Sequence, residues 1–189
     1  MTNLPKDLKD YLIENYSFTL PSIVQSSIAS DGTTKHGLET MDKSYVEMVV
    51  IPAVQKTTLC ISSQVGCARA CSFCATGLHG LKRNLSVEEI VGQIVLASKL
   101  VLPKRITNIV FMGMGEPLDN TEHVLRALKI IQADESISFS PRRTTISTCG
   151  VIPGILSLAD SGIKTKLAVS LNSALDDKRS SLMPINKIY

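Results

Sequence analysis

From Thr57 onward the chain alternates short apolar segments with amphipathic ones, and that alternation is its strongest constraint on fold. Strands are expected at 58–62, 106–112, 143–148 and 166–170. Helices are expected between them. Ser86-Val87-Glu88-Glu89 is a capping box opening a helix to about residue 102. Val124, Leu125, Leu128 and Ile131 fall on one face of a helix over 120–132. A third helix, 153–160, has Pro in its first turn and Gly162 just past its end. Strand–helix alternation builds a parallel sheet, because parallel neighbours need a crossover and a helix supplies it. The fold class is therefore α/β, as a barrel or a doubly wound sheet. In either, all strand C-termini open on one face, where ligands bind.

The first 56 residues have a different texture. Residues 5–15 carry Leu8, Tyr11 and Leu12 near helical spacing. After Pro21, strands are expected at 22–29, 33–40 and 44–51, with turns at Asp31-Gly32 and Met41-Asp42-Lys43. A short helix and a small antiparallel meander thus precede the parallel sheet, giving regions 1–56 and 57–189. With 44% hydrophobic residues, the chain is expected to fold rather than stay disordered. No apolar run approaches the ~20 residues of a membrane-spanning helix. The acidic N-terminus has no secretory leader pattern, so a cytoplasmic setting is expected. Four Phe, four Tyr and no Trp leave little material for an aromatic platform that stacks bases.

Of five cysteines, Cys60, Cys67, Cys71 and Cys74 fall within fifteen consecutive residues, and Cys149 stands apart. In a reducing compartment, clustered thiols bind metal or react rather than form disulfides. Cys67, Cys71 and Cys74 form a C-x3-C-x2-C triplet in a loop after the first parallel strand. Three thiolates can hold three irons of a four-iron cluster and leave the fourth open to a small ligand. Structural zinc is the main alternative; it wants a fourth ligand, and Cys60 and His79 are poorly spaced to supply one. Inert thiols are the third. Gly113-Met114-Gly115-Glu116-Pro117 follows the second strand, Ser147-Thr148-Cys149-Gly150 ends the third, and Ser170-Leu171-Asn172 ends the fourth. Each alone reads as a turn or a helix cap. Together they converge on the face that also receives the cysteine loop.

Charge is uneven: residues 1–60 hold five Lys/Arg against seven Asp/Glu, and the remainder is net positive. Lys82-Arg83, Lys104-Arg105, Arg142-Arg143 and Lys178-Arg179 are adjacent basic pairs, expected on the surface and weakly favouring a phosphate-bearing partner. His36 and His123 are expected on the surface, Phe73 packed around the cysteines, and Cys149 buried.

These motifs resemble the radical S-adenosylmethionine superfamily and, within it, the RlmN/Cfr family of RNA methyltransferases. The resemblance is carried by the run from Leu59 to Gly77, by Lys82-Arg83-Asn84-Leu85, by the segment from Phe111 to Leu118, by that from Arg143 to Gly150, and by Leu182-Met183-Pro184-Ile185-Asn186. The segment from Met1 to Lys6 resembles a stretch internal to that family. The resemblance implies a partial (βα) radical-SAM barrel. It implies a [4Fe-4S] cluster on Cys67, Cys71 and Cys74, and S-adenosyl-L-methionine held by Gly115, Glu116, Ser147, Ser170, Leu171 and Asn172. It implies that a radical made from that cofactor activates a methyl group carried on a cysteine, which then adds to adenine C2. Cys60 matches the cysteine that releases the crosslink by disulfide exchange, and Glu47 the proton acceptor. Implied partners are 23S rRNA, tRNA and a reducing electron donor such as flavodoxin, with the protein a monomer and no membrane association.

The segment around Val46 to Pro52 is more RlmN-like than Cfr-like, so C2 is favoured over C8 as the site of methylation. A non-enzymatic zinc-binding RNA module is the alternative from a different class. The family's methyl-carrying cysteine and its small N-terminal helical domain have no counterpart in these 189 residues. The chain therefore looks like a fragment, expected to bind cluster and S-adenosylmethionine weakly without turning over.

Overall fold

The structure is a computed structural model, described for residues 4–17, 19–134 and 136–189. The opening segment's first three residues lie outside it. Helix α1 (Lys6–Asn15) precedes three antiparallel strands, β1 (Ser22–Ile28), β2 (Thr34–Glu39) and β3 (Tyr45–Ala53). A two-residue turn links β3 to β4 (Lys56–Cys60), and strands β7 (Asn108–Phe111), β8 (Thr144–Thr148) and β9 (Lys166–Val169) follow in parallel. All seven form one sheet in the order β1-β2-β3-β4-β7-β8-β9. Helices α3 (Val87–Leu100), α4 (Thr121–Gln132) and α5 (Ile152–Asp160) make the crossovers. The α/β class, the meander and the parallel sheet are as the sequence implied. The boundary drawn at 56/57 falls inside the β3–β4 hairpin, whose strands share a continuous ladder.

The sheet has one apolar face. Leu59, Ile61, Ile109, Phe111 and Ile146 are at most 1% exposed. They form one core cluster with Ile90 and Ile94 of α3 and Val124, Leu128 and Ile131 of α4. Each such side chain contributes roughly 1.5–3 kcal/mol on burial. The α3 capping box forms as expected, with Ser86 and Glu89 each accepting from the other's backbone N–H.

The opposite face is more polar. Side chains alternate along a strand, and paired residues share a face. Val49 pairs with Cys60, Cys60 with Val110, Val110 with Thr145, and Ser147 with Ala168. Glu47 lies two residues along β3 from Val49 and so shares this face.

Four elements carry no strong sequence signal. Strands β5 (Gln64–Gly66) and β6 (Leu81–Asn84) form a small antiparallel pair, and α2 (Ala75–Leu78) is a single turn between them. Strands of three and four residues are too short to show a period. Helix α6 (Asp176–Leu182) opens without a side-chain cap, which removed its sequence marker. No helix among the described residues is long and apolar enough to cross a membrane.

Candidate cofactor site

The cysteine loop runs between β5 and β6. After β4 the chain leaves the sheet, and buried side chains take over its backbone groups. Gln93 of α3 accepts from Ser62 N at 2.9 Å and donates to Ser62 O at 3.0 Å. Asn120 Nδ2 donates to Ser63 O and to Leu85 O, both at 2.8 Å. These bonds clamp the end of the β5–β6 pair away from the cysteine loop, where β5 starts and β6 stops, and losing a buried one costs about 1–3 kcal/mol. The loop is closed by Cys67 N donating to Gly80 O at 2.9 Å and tied down by Ser72 N donating to Leu182 O at 2.9 Å.

Cys67, Cys71 and Cys74 are half-buried free thiols. They line a cavity of about 370 Å3 together with Gly115, Glu116, Ser147, Ser170 and Asn172. Eight of the eleven residues singled out in the sequence thus share one hollow at the C-terminal ends of the parallel strands. Phe73 and Cys149 line it too. Phe73 is 58% exposed, so it faces the opening rather than packing inside.

Gly115 is held at φ +93°, and a Cβ there would lie 2.4 Å from that of Gln64. Only glycine lets this turn pass so close to β5. Its neighbour Glu116 is 5% exposed and braces two strand ends. One carboxylate oxygen accepts from Leu118 N at 3.0 Å, the other from Cys149 N at 2.8 Å. Each oxygen keeps lone-pair capacity for a further donor. Ser147 Oγ and Ser170 Oγ lie 3.4 Å apart across β8 and β9.

Burial pushes the Cys67 and Cys71 thiols above their ordinary pKa, and neighbouring cysteines add to it. Burial, then the adjacent Glu116 carboxylate, raises Cys149 far more. Among the described residues no three His, Cys, Asp or Glu side chains converge as a single metal ion needs. The three thiols instead border a hollow with glycine backbone and hydroxyls opposite, a donor set that fits a multi-iron cluster with a ligand beside it. Arg69 N donates to Cys67 Sγ at 3.5 Å, the kind of N–H to sulfur contact that tunes a cluster.

Three expected residues do not line this cavity. Leu171 is 55% exposed, and its carbonyl accepts from Arg179 Nε at 3.2 Å. Cys60 is buried one residue below the rim, its thiol against the Met112 backbone, and burial raises its pKa. Glu47 lies on β3, its carboxylate 3.0 Å from Lys35 Nζ and accepting from Tyr45 Oη at 3.2 Å.

Sequence reasoning missed three residues that build the site. Arg69 bonds Asp119 and joins the cysteine loop to the segment after Gly115-Glu116. Gln64 Oε1 accepts from Glu116 N at 2.8 Å. Arg179 donates to Cys149 O at 2.8 Å, to Leu171 O and to Asn186 Oδ1, strapping α6 across the ends of β8 and β9. The one available signal was an Arg between two cluster cysteines.

Two expectations are corrected. Arg83 and Arg179 are not free surface cations. Arg83 bonds both Asp42 and Glu89, and Arg179 is held by the loops just described. His36 is 8% exposed on β2, its Nδ1 bonded to Ser26 Oγ at 2.8 Å, because the meander covers it. His123 is half-buried and bonds Asn120 Oδ1 at 2.8 Å.

A cysteine triplet at the mouth of a parallel sheet, beside a glycine turn and strand-end hydroxyls, defines a radical-SAM-type site. The model of the Radical SAM superfamily matches residues 61–189, and the chain belongs to that superfamily. Members use a [4Fe-4S] cluster and S-adenosylmethionine. The chain is similar to particular RNA-modifying members. It is 47% identical, over 99% of its length, to a probable dual-specificity RNA methyltransferase RlmN of Akkermansia muciniphila, covering 54% of that protein. It is 48% identical to the dual-specificity RNA methyltransferase RlmN of Bdellovibrio bacteriovorus, over 99% of this chain and 47% of that one. A crystal structure of a radical SAM methyltransferase from Sphaerobacter thermophilus superposes with a TM-score of 0.92 at 43% identity, over 100% of this chain and 56% of that one. The chain thus spans about half the length of the curated relatives it matches. Both the superfamily match and these relatives weigh against the zinc-module alternative, and the named relatives are RlmN rather than Cfr.

Proposed function

We propose that this chain carries the radical-generating part of an RNA methyltransferase that methylates C2 of adenine in 23S rRNA and tRNA. The observation that carries this reading is the shared cavity of Cys67, Cys71, Cys74, Gly115, Glu116, Ser147, Ser170 and Asn172. The three cysteines hold the cluster. Glu116 accepts from the amino group of S-adenosylmethionine, and Ser147, Ser170 and Asn172 bond its ribose and carboxylate. Bound there, the cluster and its cofactor would supply one-electron radical chemistry.

Residues 57–189 house that site, and residues 1–56 carry Glu47 on β3. Glu47 and Cys60 share the polar face of the sheet, which suits a proton acceptor and an exchanging thiol acting on one base. Lys35 and Tyr45 fix the direction of the Glu47 carboxylate. A single-stranded or unstacked adenine would be the target, since a stacked duplex base exposes too little for chemistry. A flavodoxin-type reductant, a monomeric state and a cytoplasmic setting complete the reading.

The decisive experiment is mass analysis of 23S rRNA and tRNA from cells with and without the gene. Loss of 2-methyladenosine on deletion is expected. Its persistence, or loss of an 8-methyl product alone, overturns the reading.

A further inference from the structure

At the opposite end of the sheet from the cofactor cavity, cations collect where the parallel strands begin. Lys104, Arg105 and Arg143 line a groove of about 500 Å3 below β7 and β8. Through Ser140 it adjoins a hollow bordered by Arg142, Lys164 and Lys166, below β8 and β9. Pro141 and Lys164 join that hollow to a third, which Lys129 borders. No Asp or Glu among the described residues lines any of the three. None of these seven cations takes part in an ion pair among the described residues, whereas Lys35, Arg69 and Arg83 all do. All seven are exposed.

The framework under them is fixed. Gln132 Nε2 donates to Lys164 O at 3.2 Å, Thr165 Oγ1 to Thr144 O at 3.0 Å, and Arg143 N to Ser140 O at 2.9 Å. Unneutralised like charges repel, so a band of them is stabilised by an anionic partner. The cations spread over three adjoining hollows rather than closing on one point. That arrangement suits a line of phosphates better than one small anion. Arg143 immediately precedes β8 and Ser147 lies four residues further along it, so band and cavity are separated by roughly 13 Å at about 3.3 Å per residue.

We propose that this band holds the sugar–phosphate backbone of the RNA substrate at a segment away from the target adenine. The proposal rests on the RNA reading above and adds a second contact, on the strand-start end of the sheet. These contacts position the RNA without reading its sequence.

The test measures binding of a fluorescently labelled tRNA transcript to the iron-loaded chain across a salt series. One variant joins Lys104→Gln, Arg105→Gln, Arg142→Gln and Arg143→Gln. The control joins Lys6→Gln and Lys9→Gln on α1. The band variant should bind at least tenfold more weakly, with its log K against log salt slope shallower by about 3 for four lost phosphate contacts at about 0.7–0.9 each. The control should match the parent, and iron content should be equal in all three. A second measurement needs no variant: acetylation of the parent with and without tRNA, read by mass spectrometry. Lys104, Lys164 and Lys166 should be protected and Lys6 and Lys9 not. If the parent binds tRNA and the band lysines acetylate equally with and without it, the band proposal falls and the RNA reading stands. If the parent binds neither tRNA nor a 23S rRNA fragment at low salt, both fall. Stronger binding to anionic lipid vesicles than to tRNA also overturns the band's assignment to RNA.

Discussion

Arg69, between the first two cluster cysteines, grips Asp119, just beyond the glycine turn: Nε donates to Oδ2 at 2.6 Å and Nη2 to Oδ1. The two side chains are only 20% and 16% exposed. A two-pronged guanidinium–carboxylate bond fixes orientation as well as distance. The cysteine loop is therefore registered against the wall that faces it.

Breaking that pair should loosen the loop. Arg69→Ala is expected to cost about 1–3 kcal/mol, since Asp119 is left without its partner. That corresponds to a melting-temperature drop of roughly 2–10 °C in a chain of this size. Arg69→Lys should recover only part, because one ammonium lacks the fork. Calorimetry and iron content after reconstitution check this; unchanged values for Arg69→Ala refute the loop's dependence on it.

Cluster retention should separate the cysteines into two groups. Cys67→Ser, Cys71→Ser and Cys74→Ser should each abolish most bound iron and sulfide and the brown absorbance. Cys149→Ala should keep them, although its side chain lines the same cavity. An iron loss in Cys149→Ala as deep as in the other three would make Cys149 a ligand.

Glu116→Gln tests the brace between β7 and β8. Glutamine offers one acceptor oxygen where two buried N–H groups now each find one. A buried N–H facing an amide NH2 costs about 1–3 kcal/mol. S-adenosylmethionine affinity should fall about tenfold, measured by calorimetry on the iron-loaded chain. Wild-type affinity would remove Glu116 from the binding wall.

His36 should give the fold a pH dependence. Burial lowers its pKa below 6.5, so the unfolded chain takes up a proton that the folded chain resists. Stability from this group is full above the unfolded value and falls as pH drops from about 7 through the folded value. His36→Gln should flatten the pH 7 to 5 slope of the denaturation midpoint. An unaltered slope would assign that slope to other groups.

The parallel sheet, its helices and the meander were legible because periodicity and caps report burial directly. Ser86 and Glu89 marked a helix start that the structure reproduces, and of the face marked by Val124, Leu125, Leu128 and Ile131 all but the half-buried Leu125 are fully buried. The cavity wall was legible because strand ends in such a sheet share a face. The clamps were not. Gln93, Asn120 and Arg179 act on backbone groups distant in sequence, and a polar residue that bonds a remote carbonyl leaves no local pattern. The basic pairs misled for the same reason. Adjacent cations look alike until the fold gives Arg83 two carboxylates and gives Arg143 none among the described residues.

Ala53 pairs with Lys56 and Val49 with Cys60, so the turn at residues 54–55 sets the phase of everything above it. Sliding β3 by a single residue would turn Glu47 toward the helices and bring Met48 out in its place. The carboxylate and the thiol are thus aligned by the length of a hairpin on the far side of the sheet from the iron ligands. One residue inserted at that bend would act as a clutch, leaving the cluster loop engaged and uncoupling the groups proposed to complete the reaction.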